Sequence, residues 1–261
     1  MLTADEIAAY ADQGFVVPAM RLDAARVDAL RGTLDRLIAA NPHIRPERLV
    51  SAHIEGENAE GVKGSADFLD LARDPAIVAA VSQLVGADVI LWGCQIFCKP
   101  GGDGMEVPWH QDGHYWPIRP LATVTAWIAI DDVNVENSCL RVIPGSHRDR
   151  VSYAHDVDNS DTIILNQVLK PEHLQSAPPR DIELSPGRFS IHDVYLIHGA
   201  NPNNSGKRRA GMVFRYMPAS SHFDREMAAR QVRDMGVLDL SRRKLHLVRG
   251  VDRSRRNDIA R

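Results

Sequence analysis

From Val89 onward the chain breaks into short runs rich in β-branched and aromatic residues, with no long helical pattern between them. VILWGCQIFCK (89–99), ATVTAWIAI (122–130), CLRVI (139–143), RFSIHDVYLIH (188–198) and RAGMVFRYM (209–217) are bounded by Gly, Pro, Asn or Asp. Runs of this kind are strands joined by turns. A parallel sheet would need a crossover helix between each pair, so the expected core is an antiparallel sandwich or jelly roll.

The first part of the chain reads differently. Thr3 precedes ADEIAAYADQG with Glu6 three positions on, the pattern of a capped helix that Gly14 closes. FVVP (15–18) is a short strand candidate, and residues 22–40 place Val27, Leu30, Leu34, Leu37 and Ile38 on one helical face. Residues 53–64, polar and glycine-rich, read as a mobile loop, and two short helices follow around 66–72 and 75–84. The expected organisation is one domain over 1–261: a helical N-terminal support (1–88), a β core (89–220) and a C-terminal helical and basic tail (221–261). Within the core, residues 151–187 are polar and proline-containing; a structureless stretch of that length is expected to be a lid. The tail from Ser241 carries eight Lys/Arg against two acids. It reads as a solvated arm or a subunit contact, which leaves a homo-oligomer open.

Composition narrows the function classes. With 44% hydrophobic and 25% charged residues the chain is an ordinary globular one, and a net charge of -3 supplies no field for gripping nucleic acid. The opening residues lack a basic stretch followed by an apolar run, and no stretch approaches roughly 18 consecutive apolar residues. The expectation is a cytoplasmic protein that binds neither nucleic acid nor membrane. Cys94, Cys98 and Cys139 match no zinc-site or disulfide spacing and read as reduced, part-buried thiols.

The pattern His-x-Asp occurs at 110/112, 147/149 and 222/224, and the abundances of 11 His and 24 Asp make about one occurrence expected by accident. Context separates the three. His110 and Asp112 follow a strand and a PGGDG turn; positions i and i+2 of an extended segment point to one side and can converge on one ion. His147/Asp149 lies in the charged stretch HRDRV beyond a PGS turn, and His222/Asp224 opens a probable helix, where i and i+2 diverge. A third ligand must come from a distant strand, and His198, at the end of RFSIHDVYLIH, is the candidate. Two imidazoles and a carboxylate on one face of an octahedral ion leave positions open for Fe(II) and oxygen chemistry. Arg209, opening the next strand candidate, is expected to return antiparallel across the 201–207 turn. Its guanidinium is the natural bidentate partner for the far carboxylate of a chelating 2-oxo diacid.

These residues carry a resemblance. PWHQDGHYWPIRP, VTAWIAIDDVNVENSCLRVIPGSHR and IHGANPNNSGKRR, with the opening LTADEIAAYADQGFVV, resemble the phytanoyl-CoA dioxygenase family of Fe(II)/2-oxoglutarate-dependent oxygenases over about residues 1–220. The resemblance implies a double-stranded β-helix (cupin-like) core that is mainly β with flanking α-helices. It implies His110, Asp112 and His198 as iron ligands and Arg209 as the holder of the 2-oxoglutarate C5 carboxylate. It also implies Trp127 and Gln95 as residues facing that cosubstrate. The cofactors implied are Fe(II), 2-oxoglutarate and O2, with succinate and carbon dioxide released and a small-molecule or lipid-like C–H oxidised. Two departures stand out: Ala200 replaces a common Ser, removing one hydroxyl from the cosubstrate cradle, and Ser138 replaces a common Gly, altering a turn. Related halogenases carry a small residue at the carboxylate position, so Asp112 implies hydroxylation or another oxidation. The other classes are a cupin-like metal-dependent hydrolase or isomerase, and a catalytically silent binding protein of the same fold.

Neighbouring residues are weighed on their own chemistry. Tyr115 and Trp116 read as core before pocket mouth, and His114 as structural before outer-sphere donor. Asn137 and Asp193 read as turn supports. His192 shares a face with His198 on one presumed strand, but at ~3.3 Å per residue the two lie roughly 20 Å apart, too far for one ion; His192 reads as structural.

Overall fold

Side-chain alternation along the strands produces the layering. In the computed structural model, which describes residues 1–174 and 177–260, the elements that position the site follow in chain order. They are α1 (Ala4–Gln13), β1 (Phe15–Val16), α2 (Ala24–Ala40), β2 (Leu49–Val50), α3 (Ala66–Ala72), α4 (Pro75–Val85), β3 (Val89–Lys99) and β4 (Val107–His110). Then come β5 (Val124–Ala129), β6 (Leu140–Val142), β7 (Arg180–Ile182), β8 (Phe189–Asp193), β9 (His198–Ala200), β10 (Arg209–Pro218), α5 (Arg225–Met235) and β11 (His246–Arg249). Gln175 and Ser176, in the segment expected as a lid, and Arg261, at the end of the basic tail, lie outside the described residues.

A seven-stranded antiparallel sheet runs β1-β8-β5-β10-β3-β11, with β2 also on β3, and a four-stranded sheet runs β7-β6-β9-β4. On β5, Val124, Ala126 and Ile128 face the helices; on β10, Ala210, Met212, Phe214 and Tyr216 do the same. They meet Leu34 and Leu37 of α2, Phe68 and Leu71 of α3, and Ile77 and Val81 of α4. Each buried Val, Leu, Ile, Phe or Met side chain among them contributes about 1.5–3 kcal/mol of transfer free energy. The opposite parity, Thr125 and Trp127 on β5 with Arg209, Val213 and Arg215 on β10, therefore points toward the smaller sheet. There Val107, Leu140, Val142 and Ala200 close a second core around Phe97, Trp127 and Val213.

The N-terminal helices form where the sequence places them. Thr3 and Glu6 form a reciprocal capping box on α1, and Gly14 ends the helix at φ 82°. A Cβ on Gly14 would sit 2.5 Å from the His147 ring, so both the left-handed turn and the close approach require glycine. The loop expected over 53–64 contains a small hairpin, Gly56–Glu57 with Lys63–Gly64.

Three expectations are corrected. RFSIHDVYLIH is two strands: β8 belongs to the large sheet and β9 to the small one, with a turn between them in which Asp193 accepts from the backbone N–H of Tyr195 at 2.9 Å. Segment 151–187 is not structureless; 155–157 pairs with 167–169, and β7 is a full member of the small sheet. The basic tail is not a free arm. β11 adds to the edge of β3, Arg225 pairs with Asp258, and Arg243 is buried against Glu60 at 3.3 Å. Among the described residues no helix is long and apolar enough to cross a membrane.

Candidate metal centre

The β4–β9 register makes the site. His110 and His198 are direct Cα partners across the antiparallel pair, which sets their rings side by side with centroids 4.2 Å apart. Gln111 is extended (φ −118°, ψ 129°) before a short turn over Asp112–His114, so the carboxylate of Asp112 swings back beside His110. One ligand atom from each of His110, Asp112 and His198 lies within 4.8 Å of the others, and all three residues are buried. His110 Nε2 is 3.7 Å from Asp112 Oδ1, and His198 Nε2 is 3.9 Å from Oδ2.

Each imidazole has its far nitrogen occupied. Nδ1 of His110 lies 2.8 Å from the Pro108 carbonyl, and Nδ1 of His198 lies 2.9 Å from the Leu196 carbonyl. A carbonyl only accepts, so Nδ1 carries the proton and Nε2 offers a lone pair to the cavity, the tautomer a metal needs. Burial, reinforced by His110 and His192, holds the His198 ring well below its ordinary range and therefore neutral. Burial works to raise the Asp112 carboxyl. The polar imidazoles of His110, His192 and His198 around it and the charge of Arg215 outweigh it, holding the group well below the usual carboxylate range. Thr125 donates its hydroxyl to Asp112 Oδ2 at 3.1 Å and fixes the carboxylate's rotation.

The same cavity, about 470 Å³, reaches from this cluster to Arg209 and Trp127. Arg209 is 2% exposed, donates Nη1 to the Phe97 carbonyl at 3.2 Å, and leaves Nε without a partner. Among the described residues it has no carboxylate partner, and burial pulls its pKa down to about 10. An unpaired guanidinium aimed into a cavity is a receptor for a carboxylate. Its charge lies 5.3 Å from the centre of the Trp127 ring. A Cβ on Gly211 would come within 2.2 Å of that ring, so the glycine makes room for the tryptophan. The expected antiparallel return of Arg209 beside His198 is corrected: β9 and β10 lie in facing sheets, and the arginine meets the metal cluster across the barrel.

Gln95 stands elsewhere. It lines a wider adjoining cavity of about 1350 Å³, accepts from Arg215 Nη2 at 3.4 Å and donates to the Glu47 carbonyl at 3.4 Å. It does not line the inner cavity, because the inner end of β3 contributes Phe97 instead. Tyr115 and Trp116 line the wider cavity as well, and Trp116 also packs edge-on against Trp92 with centroids 4.5 Å apart. Ala200 lies in the wall of the inner cavity, where a serine would have presented a hydroxyl. Ser138 adopts φ 74°, the left-handed value a glycine would take, and its hydroxyl accepts from Lys99 Nζ at 2.9 Å.

The sequence reading misplaced His192. Because β8 and β9 are separate strands, its ring packs on His198 with centroids 4.6 Å apart, and its Nε2 is 3.6 Å from Asp112 Oδ2. Both its ring nitrogens lack hydrogen-bond partners, and it lines the inner cavity. Lys99 was passed over too. It is fully buried under Arg209, and burial together with that charge pulls its pKa to about 6. A lysine in a strand of apolar neighbours was the available signal. His147, expected on a loop surface, is buried, and His222, expected to open a helix, lies in the short strand His222–Phe223 before it. His114 stacks on His155, Asn137 bonds within its own turn, and Asp193 accepts from Tyr10 and Tyr195. His147 contacts the Ala11 carbonyl, and Asp224 caps α5. The three thiols are buried, and burial raises them to about 12, 12 and 11 for Cys94, Cys98 and Cys139.

The sequence profile of the family described as phytanoyl-CoA dioxygenase (PhyH) matches residues 10–211, a span that includes the whole cluster and Arg209. The chain belongs to the phytanoyl-CoA dioxygenase family. It is 25% identical over 277 residues to the ectoine dioxygenase of Bordetella parapertussis, covering 93% of this chain and 88% of that one. It is 22% identical over 241 residues to the peroxisomal phytanoyl-CoA dioxygenase of Homo sapiens, covering 85% and 70% respectively. Among solved structures, the apo non-heme monooxygenase ThoJ superposes with a TM-score of 0.71 at 20% identity, over 95% of this chain and 85% of that one. The epimerase SnoN, solved with Fe3+, alpha ketoglutarate and nogalamycin RO, superposes at 0.65 with 25% identity over 84% of each chain. The fold is thus the cupin-like one of the non-heme oxygenases, and the family's members are 2-oxoglutarate-dependent dioxygenases.

Proposed function

We propose that this chain is an Fe(II)- and 2-oxoglutarate-dependent dioxygenase that oxidises an unactivated C–H bond of a small-molecule or lipid-like substrate. Succinate and carbon dioxide are the coproducts. His110, Asp112 and His198 hold the iron, Arg209 takes the C5 carboxylate of 2-oxoglutarate, and Trp127 walls the space between them. One observation carries the reading: two imidazole Nε2 atoms and a carboxylate share a buried cavity with a guanidinium that has no carboxylate partner among the described residues. Bound iron with 2-oxoglutarate and O2 supplies the oxidation.

The chain's own residues supply geometry. The Pro108 and Leu196 carbonyls fix both histidine tautomers, and Thr125 sets the carboxylate. Trp127, Val213 and Leu140 exclude water from the space where a reactive species would be quenched. Asp112 fills the position that a halide would need, which favours oxidation over halogenation. Residues 158–167 border the wider cavity and form part of a cover over the substrate. The whole chain works as one domain.

The purified protein with Fe(II), 2-oxoglutarate and O2 should release succinate and, with the right metabolite pool, yield a product heavier by one oxygen atom. Asp112→Ala should abolish both while leaving the circular dichroism spectrum intact. Oxygen-independent turnover, or normal turnover in Asp112→Ala, would refute the assignment. Succinate without oxygen insertion would keep the oxidation and replace hydroxylation with a hydrogen-abstracting rearrangement, the outcome that SnoN, named as an epimerase, brings into view.

A further inference from the structure

A second buried arginine, Arg215, holds neither the metal nor the 2-oxo acid in the account above. It lies on the same face of β10 as Arg209 but at the metal end, and it lines both the inner cavity and the wider one. It is 8% exposed, its Nε has no partner, and among the described residues it makes no ion pair. Its polar contact is a long one, 3.4 Å from Nη2 to Gln95 Oε1. The guanidinium lies over Trp116 at 5.5 Å and Trp92 at 6.0 Å, two rings that also wall the wider cavity. Arg215 is the Cα partner of Thr125, whose hydroxyl holds Asp112, so the charge stands at the doorway to the metal cluster.

The other charges of the wider cavity are accounted for. Arg243 is paired with Glu60 at 3.3 Å, and Arg48 is exposed and donates to the Ile163 carbonyl. Asp158 and Asp161 sit exposed on the rim. Three guanidinium groups and three carboxylates line the cavity, so its wall is formally neutral and suits one added negative charge better than two. A buried cation held by aromatic faces and one long hydrogen bond keeps most of its N–H donors ready for a planar, singly charged acceptor.

We propose that Arg215 is the substrate anchor and that the substrate is a carboxylic acid with an apolar or aromatic body. The carboxylate seats on Arg215 between the two cavities, and the body lies along Trp92, Trp116 and Tyr115. This rests on the inner cavity being the iron and 2-oxo acid site, which leaves the wider cavity to the substrate.

The test is calorimetric titration of the full chain under anaerobic conditions, with and without saturating Fe(II) and 2-oxoglutarate. The probes are 4-phenylbutyrate, indole-3-propionate and decanoate, each against its primary amide. At least one acid should bind about tenfold or more tightly than its amide. Arg215→Gln should erase that preference, and Arg215→Lys, which keeps the charge, should retain part of it. A merely structural arginine would weaken acid and amide alike. Equal affinities in the unsubstituted protein, no binding by any of the acids, or a preference that survives in Arg215→Gln would overturn the proposal. Acid preference without an iron and 2-oxoglutarate signal would instead sink the proposed function and leave this site standing.

Discussion

Single atoms decide most at this site. Two carbonyls turn the imidazoles to the right tautomer, and one hydroxyl sets the carboxylate. Thr125→Val keeps the shape and removes only the hydroxyl that donates to Asp112 Oδ2 at 3.1 Å. Metal affinity, measured by competition with a chelating dye, should fall about tenfold, with little change in melting temperature. Unchanged affinity would show that Thr125 does not orient the ligand. His110 and Asp112 were legible in the sequence because spacing within one extended segment fixes which side chains share a side, and His198 because it ends the RFSIHDVYLIH strand candidate and matches the family resemblance. His192 was not, because a run of eleven apolar-rich residues looks the same whether or not the backbone turns inside it. The turn at 194–197 moves His192 from an inferred separation of roughly 20 Å into ring contact with His198.

At the scale of elements, pairing between strands does what spacing along one strand cannot. The register His198↔His110 joins residues 88 positions apart, and nothing in either segment announces it. The inward parity of β5 and β10 was readable; that β9 and β10 lie in opposite sheets was not, since a connection of eight residues permits either a hairpin or a crossing between layers. Gly211 tests the fit between β5 and β10. Gly211→Ala puts a Cβ within 2.2 Å of the Trp127 ring, which must shift into the cavity. We expect a loss of about 1–3 kcal/mol in urea unfolding and weaker 2-oxoglutarate binding in the same variant. A variant with both properties unchanged would mean that Trp127 is not confined by this strand.

Over the whole molecule, the tail that composition alone painted as a basic arm ties the N-terminal support to the β core. Arg243 donates to Ser51 and pairs with Glu60, while His53 packs edge-on to His246 of β11 at 5.4 Å. Sequence could not show this, because charge counts do not say which arginines find carboxylates. The packing makes stability pH-dependent. Burial, with the nearby charges of His246, Arg243 and Lys244, lowers the His53 pKa from 6.5 to about 3. As pH falls the unfolded chain takes up that proton first, so this contribution to stability is whole above about 6.5 and is lost progressively toward pH 3. His53→Phe should flatten the decline of melting temperature across that window; an unchanged slope would place the acid sensitivity elsewhere. The central claim, that the cluster binds a metal which would be chelated by a 2-oxo acid anchored on Arg209, is tested most directly by absorption spectroscopy under anaerobic conditions. Adding Fe(II) and then 2-oxoglutarate should raise a visible metal-to-ligand charge-transfer band that disappears in Asp112→Ala and needs far more 2-oxoglutarate in Arg209→Ala. A protein that stays colourless, or a band indifferent to both substitutions, would contradict it.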